Sequence, residues 1–319
     1  MKEKLIEIVN SFKGKRIGVI GDLMLDRFIF GDTERISPEA PVPVVFAEKE
    51  SFMPGGAGNT ANNIAALGGK VFMIGAVGED GAGQQLINEL KKKGIDTEGV
   101  VKTPAKPTTQ KIRVIARGQQ VVRIDKEDAR HIDGGIEKNI VDLVSSRIKG
   151  WDALVISDYA KGFITETLAQ EIISLAKRHQ KVVIVDPRPK HALYFKGASI
   201  FAPNQKEALE IAKTEEVEKA GKIIQEQLNC NVLITRGAEG MSLFEEERVK
   251  YFPAKAREVF DVAGAGDTVV ASLSLVLASG GNFEEAAIIA NHSAGLVVGK
   301  VGTATISPEE LINDLKNNG

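Results

Sequence analysis

The chain reads as an α/β protein: a doubly wound, mostly parallel sheet flanked by helices, with a small antiparallel β lid. Three observations predict this. Short β-branched runs alternate with helical patterns along the chain, the rhythm of strands joined by crossover helices. Most of the runs are apolar on both faces, as strands buried in a parallel sheet must be. Two segments, 28–48 and 108–125, break the rhythm with β formers that have no place in a doubly wound core. The 319 residues are read as one large domain, 1–319, with the lid rising from its sheet, and this length suffices to bury a sizeable core.

The elements follow in order. MKEKLIEIVNSFKGKR at the start alternates charged and apolar residues. It predicts an amphipathic helix, not a signal peptide with an unbroken apolar centre. Strands are predicted over Arg16–Gly21, Val71–Val77, Ala153–Ser157, Val182–Asp186, Ser199–Ala202 and Asn231–Thr235. Helices are predicted over Gly58–Leu67, Gly83–Lys93, Ile136–Lys149, Thr165–Arg178, Lys206–Ala212 and Glu216–Leu228, with an apolar helical run over Val269–Ala278. The first lid segment carries Pro38, Pro41 and Pro43 among its β formers. The second reads as a hairpin, QKIRVIA and QQVVRID around Arg117-Gly118. Met241–Pro253 looks like a further hairpin before the last helices.

Composition narrows the function. A net charge of −2 leaves no basic excess for a phosphate backbone, so a nucleic-acid partner is not expected. The single cysteine, Cys230, excludes an intrachain disulfide framework and any multi-cysteine metal site. The four histidines form no H-x-x-x-H pair. No apolar run reaches the roughly 18 residues of a membrane span, so a cytoplasmic chain with no membrane partner is expected. None of the Gly-Lys pairs precedes Ser or Thr, so there is no Walker A loop, and neither G-x-S-x-G nor H-E-x-x-H occurs. Glycine is in excess, 32 residues against about 22 at the average frequency of about 7%.

The strongest chemical signal is DVAGAGDT, Asp261 to Thr268. Its glycines place the N–H groups of Gly264, Ala265 and Gly266 at a helix N-terminus, where free donors and the helix dipole attract an anion. Asp267 falls in the first turn. A carboxylate there can take a proton from an alcohol while the N–H groups stabilise a transferring phosphoryl group. It can equally be a helix-start acid, and the residues alone leave both readings open.

Three further segments gather around it. In PGGAGN, Gly55 and Gly56 let a ligand approach closely and Asn59 can bond a hydroxyl. The same stretch, Gly56 to Ala61, fits the loose dinucleotide pattern G-x-G-x-x-A but lacks an evident strand before it. In APNQKE, Asn204 and Glu207 have capping-box spacing, or they order a magnesium ion and its waters beside nucleotide phosphates. Asp22 ends the first strand, with Asp26 four residues on, and Asp158 and Asp186 end or follow other strands. Ligands bind at that sheet edge, and acids there suit polyol hydroxyls.

Together these residues resemble the ribokinase-like (PfkB) carbohydrate kinases, the early signature falling on Gly55–Asn59 and the late one on Asp261–Asp267. The resemblance covers nearly the whole chain. It sharpens to the D-glycero-β-D-manno-heptose 7-phosphate kinases through GDLMLDRF (21–28), ERISPEAPVPVV (34–45), PGGAGNTANNIAALG (54–68), QQVVRID (119–125), SDYAKG (157–162) and GLVVGKVGT (295–303). It implies a ribokinase-like fold and ATP-dependent phosphorylation of the anomeric 1-hydroxyl of heptose 7-phosphate to the 1,7-bisphosphate, feeding ADP-heptose and lipopolysaccharide core synthesis.

Roles are implied residue by residue. Asp267 is the base, and Gly264, Ala265 and Gly266 form its anion hole. Asn204, Gln205, Lys206 and Glu207 form the nucleotide segment, with Glu207 reaching magnesium through water. Thr235, Arg236, Gly237, Asp261 and Asn291 lie near the nucleotide. Asp22, Asp26, Gly55, Gly56, Asn59, Asp158 and Asp186 serve the sugar. Lys161, Arg113, Arg123 and Arg188 are candidate seats for the 7-phosphate, Lys161 first. The lid is expected to pair with that of a second subunit.

Some positions depart from the family pattern. Ala263 stands where relatives commonly carry Thr, and Asp186-Pro-Arg188-Pro189 replaces the usual D-P-K-G, which leaves the role of Arg188 open. Bifunctional relatives continue into a nucleotidyltransferase domain with an H-x-G-H motif, which this sequence lacks, so a kinase-only chain is expected. Two kinds of rival remain: the same chemistry on fructose 1-phosphate or ribose, and, from other classes, a dinucleotide-dependent oxidoreductase or a non-catalytic nucleotide-binding regulator.

Overall fold

A computed structural model describes residues 1–246, 248–255, 258–300 and 302–318. Glu247 in the expected hairpin, Val301 in the last family-like stretch and Gly319 lie outside the described residues. The strands are β1 (Arg16–Gly21), β2 (Leu23–Ile36), β3 (Pro43–Gly56), β4 (Lys70–Gly78), β5 (Asp96–Thr103), β6 (Thr109–Ala116), β7 (Gln119–Lys126), β8 (Ala153–Ser157), β9 (Val182–Asp186), β10 (Ile200–Phe201), β11 (Asn231–Thr235), β12 (Met241–Glu245) and β13 (Arg248–Phe252). The helices are α1 (Lys2–Asn10), α2 (Ala57–Ala66), α3 (Gly81–Lys92), α4 (Gly134–Arg147), α5 (Glu166–Arg178), α6 (Gln205–Ala212), α7 (Val217–Leu228), α8 (Ala265–Ala278), α9 (Phe283–Val297) and α10 (Pro308–Asn318).

The main sheet has the order β13-β12-β11-β10-β9-β8-β1-β4-β5. It is parallel from β11 to β5, and β12 and β13 close it as an antiparallel hairpin. Its inner strands are buried on both sides, which explains their unbroken apolar runs. Ile17, Val19 and Val155 pack under α2, α3, α8 and α9, while Ile20, Leu154 and Ile156 pack over α4 and α5. The α8 helix is deeply enclosed, with every residue from Asp267 to Val276 buried. Each of its large apolar side chains contributes roughly 1.5–3 kcal/mol through burial.

From β1 the chain crosses to β4 and β5 on one side and later to β8, β9, β10 and β11 on the other. The reversal lies between β1 and β8, and a crevice opens beyond the carboxyl ends of these strands.

The lid is a four-stranded sheet, β3-β2-β6-β7. Three corrections to the sequence reading arise here. The β2–β6 pair is parallel, so the lid is only mostly antiparallel. Its strands β2 and β3 also run from Leu23 and to Gly56, past the expected 28–48 boundary, because they form one long ribbon from the core outward. A strand does precede Gly56–Ala61, but its partner β2 is antiparallel, so no βαβ dinucleotide unit exists there. The edge strand β5 was not legible, since DTEGVVKT carries only two apolar β-branched residues.

Candidate active site

The site is built where α2 and α8 meet. Gly264 caps α8 with φ +80, and a Cβ there would come within 2.9 Å of Asn59 Nδ2. Glycine therefore serves both the left-handed backbone and the close approach of α2. Among the described residues the N–H groups of Gly264 and Gly266 meet no protein acceptor, whereas Ala265 donates to Val262 O (3.3 Å). Two of the three expected anion-hole donors are thus free for a ligand, and the third is engaged in a long bond. Asp261 ties down the loop before the helix, accepting from the N–H groups of Ala263 (2.9 Å) and Gly302 (3.2 Å).

Asp267 is 7% exposed. Its Oδ2 accepts from Asn59 Nδ2 (2.6 Å), and its Oδ1 from Thr60 Oγ1 (2.7 Å) and Tyr159 OH (2.9 Å). A carboxylate offers about four acceptor positions, so one remains, on the Oδ2 side, for an incoming hydroxyl. Burial raises the Asp267 pKa, against the lowering effect of the three donors and of the Arg188 charge. Nearby Asp186 is pushed further up, by burial and then by the charge of Asp267. Two carboxyls thus share one environment with different proton affinities.

A polar cavity of about 180 Å³ lies beside Asp267, lined by Tyr159, Asp186, Arg188, Asn204, Glu207, Thr235, Gly264 and Gly266. A second cavity, about 400 Å³ and mostly apolar, shares Thr235, Gly266 and Val269 with it and extends past Gly237, Val259, Val262, Asn291 and Val298. One polar and one apolar compartment meet at the bare N-terminus of α8, an arrangement that suits a polyphosphate joined to a base. A larger hollow of about 800 Å³ lies by Ser199, Cys230 and Asn231, at the amino ends of β10 and β11. That is the opposite sheet edge from the crevice.

Several expected residues fall elsewhere. Asp22 accepts from the N–H groups of Tyr159 (2.8 Å), Lys161 (3.1 Å) and Phe163 (3.0 Å), so it fastens the loop after β8. Asp158 faces inward. It bonds Ala160 N (2.8 Å) and His191 Nδ1 (2.9 Å), and burial lifts its pKa to about 6. In this arrangement both hold backbone or a neighbouring side chain in place. Asp26 pairs with Arg113 (2.5 Å) over Gly55, whose missing Cβ leaves room for the carboxylate. Arg123 pairs with Asp125 (3.0 Å), and Lys161 with Glu127 (2.6 Å).

Gln205, Lys206 and Arg236 line neither cavity. Asn204 and Glu207 do form the reciprocal capping box, and the free Glu207 oxygen meets Arg188 (2.6 Å). Arg188 lies 4.6 Å from the centre of the Tyr159 ring. Tyr159 was missed by sequence reasoning. The signal was the SDYAKG stretch following a strand end, but nothing in it told which side chain turns toward Asp267.

Asp186, Glu207 and Asp267 face one cavity whose only lining cation among the described residues is Arg188. Even so, among the described residues no group of three acid, His or Cys side chains is arranged to hold a metal directly. This donor set fits a magnesium ion that keeps its waters and rests chiefly on substrate phosphates.

Residues 15–310 match the model of the pfkB family carbohydrate kinases. The bifunctional protein HldE of Geobacter sulfurreducens is 45% identical over 93% of this chain and 62% of its own length. The HldE proteins of Helicobacter pylori (42%; 93% and 65%) and Caulobacter vibrioides (44%; 98% and 65%) are similar. The chain thus spans a little under two thirds of these curated relatives. Phosphofructokinase-2 of Escherichia coli shares the fold, with TM-score 0.78 and 23% identity over 95% of this chain and all of that one. So does a ribokinase of Thermotoga maritima, with TM-score 0.73 and 25% identity over 95% of this chain and 100% of that one.

Proposed function

We propose that this chain, which belongs to the pfkB family of carbohydrate kinases, transfers the γ-phosphoryl group of ATP to the anomeric 1-hydroxyl of D-glycero-D-manno-heptose 7-phosphate. The observation that carries it is the place of Asp267: a buried carboxylate with one acceptor position left, between the free N–H groups of α8 and the Gly55–Asn59 loop. Asp267 accepts the hydroxyl proton as the sugar oxygen bonds the γ-phosphorus and the bond to the β-phosphate breaks. Asn59, Thr60 and Tyr159 hold the base in place. The N–H groups of Gly264 and Gly266 meet the charge that gathers on the phosphoryl oxygens. The apolar cavity around Val259, Val262 and Val298 takes the adenine. Glu207 and Asp186, which line the polar cavity, would hold a hydrated magnesium ion, and that ion would neutralise phosphate charge.

The heptose assignment rests on the long family-like stretches and on the relatives being bifunctional HldE proteins. The exposed apolar residues Phe46, Val122 and Ile124 on the lid support a homodimer formed through that sheet. No helix among the described residues is long and apolar enough to cross a membrane, and we place the enzyme in the cytoplasm. An ADP-release assay over heptose 7-phosphate, fructose 1-phosphate, fructose 6-phosphate and ribose tests the reading. Heptose 7-phosphate leads in kcat/KM by orders of magnitude. Preference for another sugar in that panel would overturn the substrate assignment.

A further inference from the structure

We infer that Lys111, on the lid, is the residue that recognises the distal phosphate of the acceptor. The inference rests on a phosphorylated acceptor and deepens that reading. The lid face shared by Met53, Asp26 and Lys111 looks toward the catalytic loops. Thr303 Oγ1 donates to Met53 Sδ (3.4 Å), and Thr303 also borders Gly264. In the strand register Asp26, Lys111 and Asp125 stand in one row across β2, β6 and β7, and Phe28, Arg113 and Arg123 in the next row on the same face.

Around Lys111 the other charges of this face are paired. Arg113 takes Asp26, Arg123 takes Asp125, and Lys161, arriving from the core loop, takes Glu127. Lys106, beneath them, is spent on the carbonyls of Lys161 (2.6 Å) and Arg130 (3.2 Å). Lys111 alone among these cations meets no hydrogen-bond or ion-pair acceptor among the described residues. Burial lowers its pKa, the charges of Asp26 and Asp125 oppose that, and those of Lys161 and Arg123 add to it.

A half-buried ammonium without a direct partner is unfavourable unless an anion arrives to share the site. Its row neighbour Asp26 lies against Gly55 of the loop that leads to Asn59 and Asp267. An acceptor whose reacting hydroxyl lies at Asp267 therefore extends along this row, with its far end at Lys111. The carboxylates of this face already have their arginines, so the incoming charge need not displace one.

The test compares wild type, Lys111→Met and Lys111→Arg on heptose 7-phosphate and on the same heptose without its phosphate, and repeats the comparison for fructose 6-phosphate and fructose. Lys111→Met lowers kcat/KM for the phosphorylated sugar about 100-fold, the loss of one charge-assisted contact in a site built for it. It leaves the neutral sugar within a few-fold, and Lys111→Arg restores most of the preference. Equal losses on both sugars, or no loss on either, overturn the inference. So does a wild type that prefers neutral sugars. If wild type prefers a phosphorylated hexose and Lys111→Met abolishes that preference, the inference stands and the heptose assignment falls.

Discussion

The two sheets hold their acids in opposite ways. In the core, Asp22, Asp158 and Asp267 are buried and each is fixed by two or three donors, none of them a lysine or arginine. In the lid, Asp26, Asp32, Glu50 and Asp125 are each held by an arginine; Asp26 is buried beside Gly55, and the other three lie on exposed stretches of strand. Desolvated acids in a packed core need directional partners to remain there. The exposed pairs of the lid stay near water, where an ion pair is weak and readily exchanged. The catalytic half of the cleft is therefore set before a ligand arrives, and the lid half can be re-paired by one.

Predictions that would break or sharpen this contrast run from the core outward. Asp267→Asn lowers turnover at least about 100-fold, with unfolding temperature and ATP binding near wild type. Turnover within a few-fold of wild type would remove the base from the scheme.

Asp22→Ala acts through stability. One buried and two partly buried N–H groups lose their acceptor, so the free energy of unfolding by urea falls by about 2–3 kcal/mol, at a penalty of about 1–3 kcal/mol for a fully buried orphan and less for the others. A fall below about 1 kcal/mol would mean that the 159–163 loop is not fastened by this carboxylate.

Tyr159→Phe has a smaller effect, a few-fold in kcat at unchanged melting temperature, and it carries a sign. Asp267 must be ionised to act, and burial has already raised its pKa. The acid limb of the kcat/KM profile therefore lies above the ordinary aspartate range. Removing a donor that lowers this pKa moves the limb to still higher pH. An unmoved or lowered limb contradicts the hydrogen bond.

Glu50→Gln is the lid control. The Arg27–Glu50 pair, with side chains 33% and 38% exposed, is screened by solvent, and its loss changes stability by less than about 1 kcal/mol.

Periodicity made most of the fold legible. The strands Arg16–Gly21, Ala153–Ser157, Val182–Asp186 and Asn231–Thr235 have the bounds read from the sequence, because burial on both faces demands unbroken apolar runs. The edge strand β5 and the outward extension of β2 and β3 did not follow, since half-exposed strands carry mixed residues that read as loop. Around the site, the glycines at 264 and 266 and the acid at 267 announced themselves, because a helix start that receives an anion needs those types at that spacing.

The division of labour among the other acids was decided only in three dimensions. From sequence, Asp22 and Asp158 were acids at the edge of the sheet and Asp267 an acid at a helix start, all three candidates for the site. Folding turned the first two toward backbone N–H groups and a histidine, and left the third facing open cavity. It also left Lys111 without an anion by giving Asp26 and Asp125 to arginines one row away. Local residue patterns determine which backbone shapes are affordable, so the strands, helices and anion-binding turn belong to the sequence. Which polar group partners which depends on atoms more than a hundred residues apart, and only the packed structure brings them within hydrogen-bonding reach.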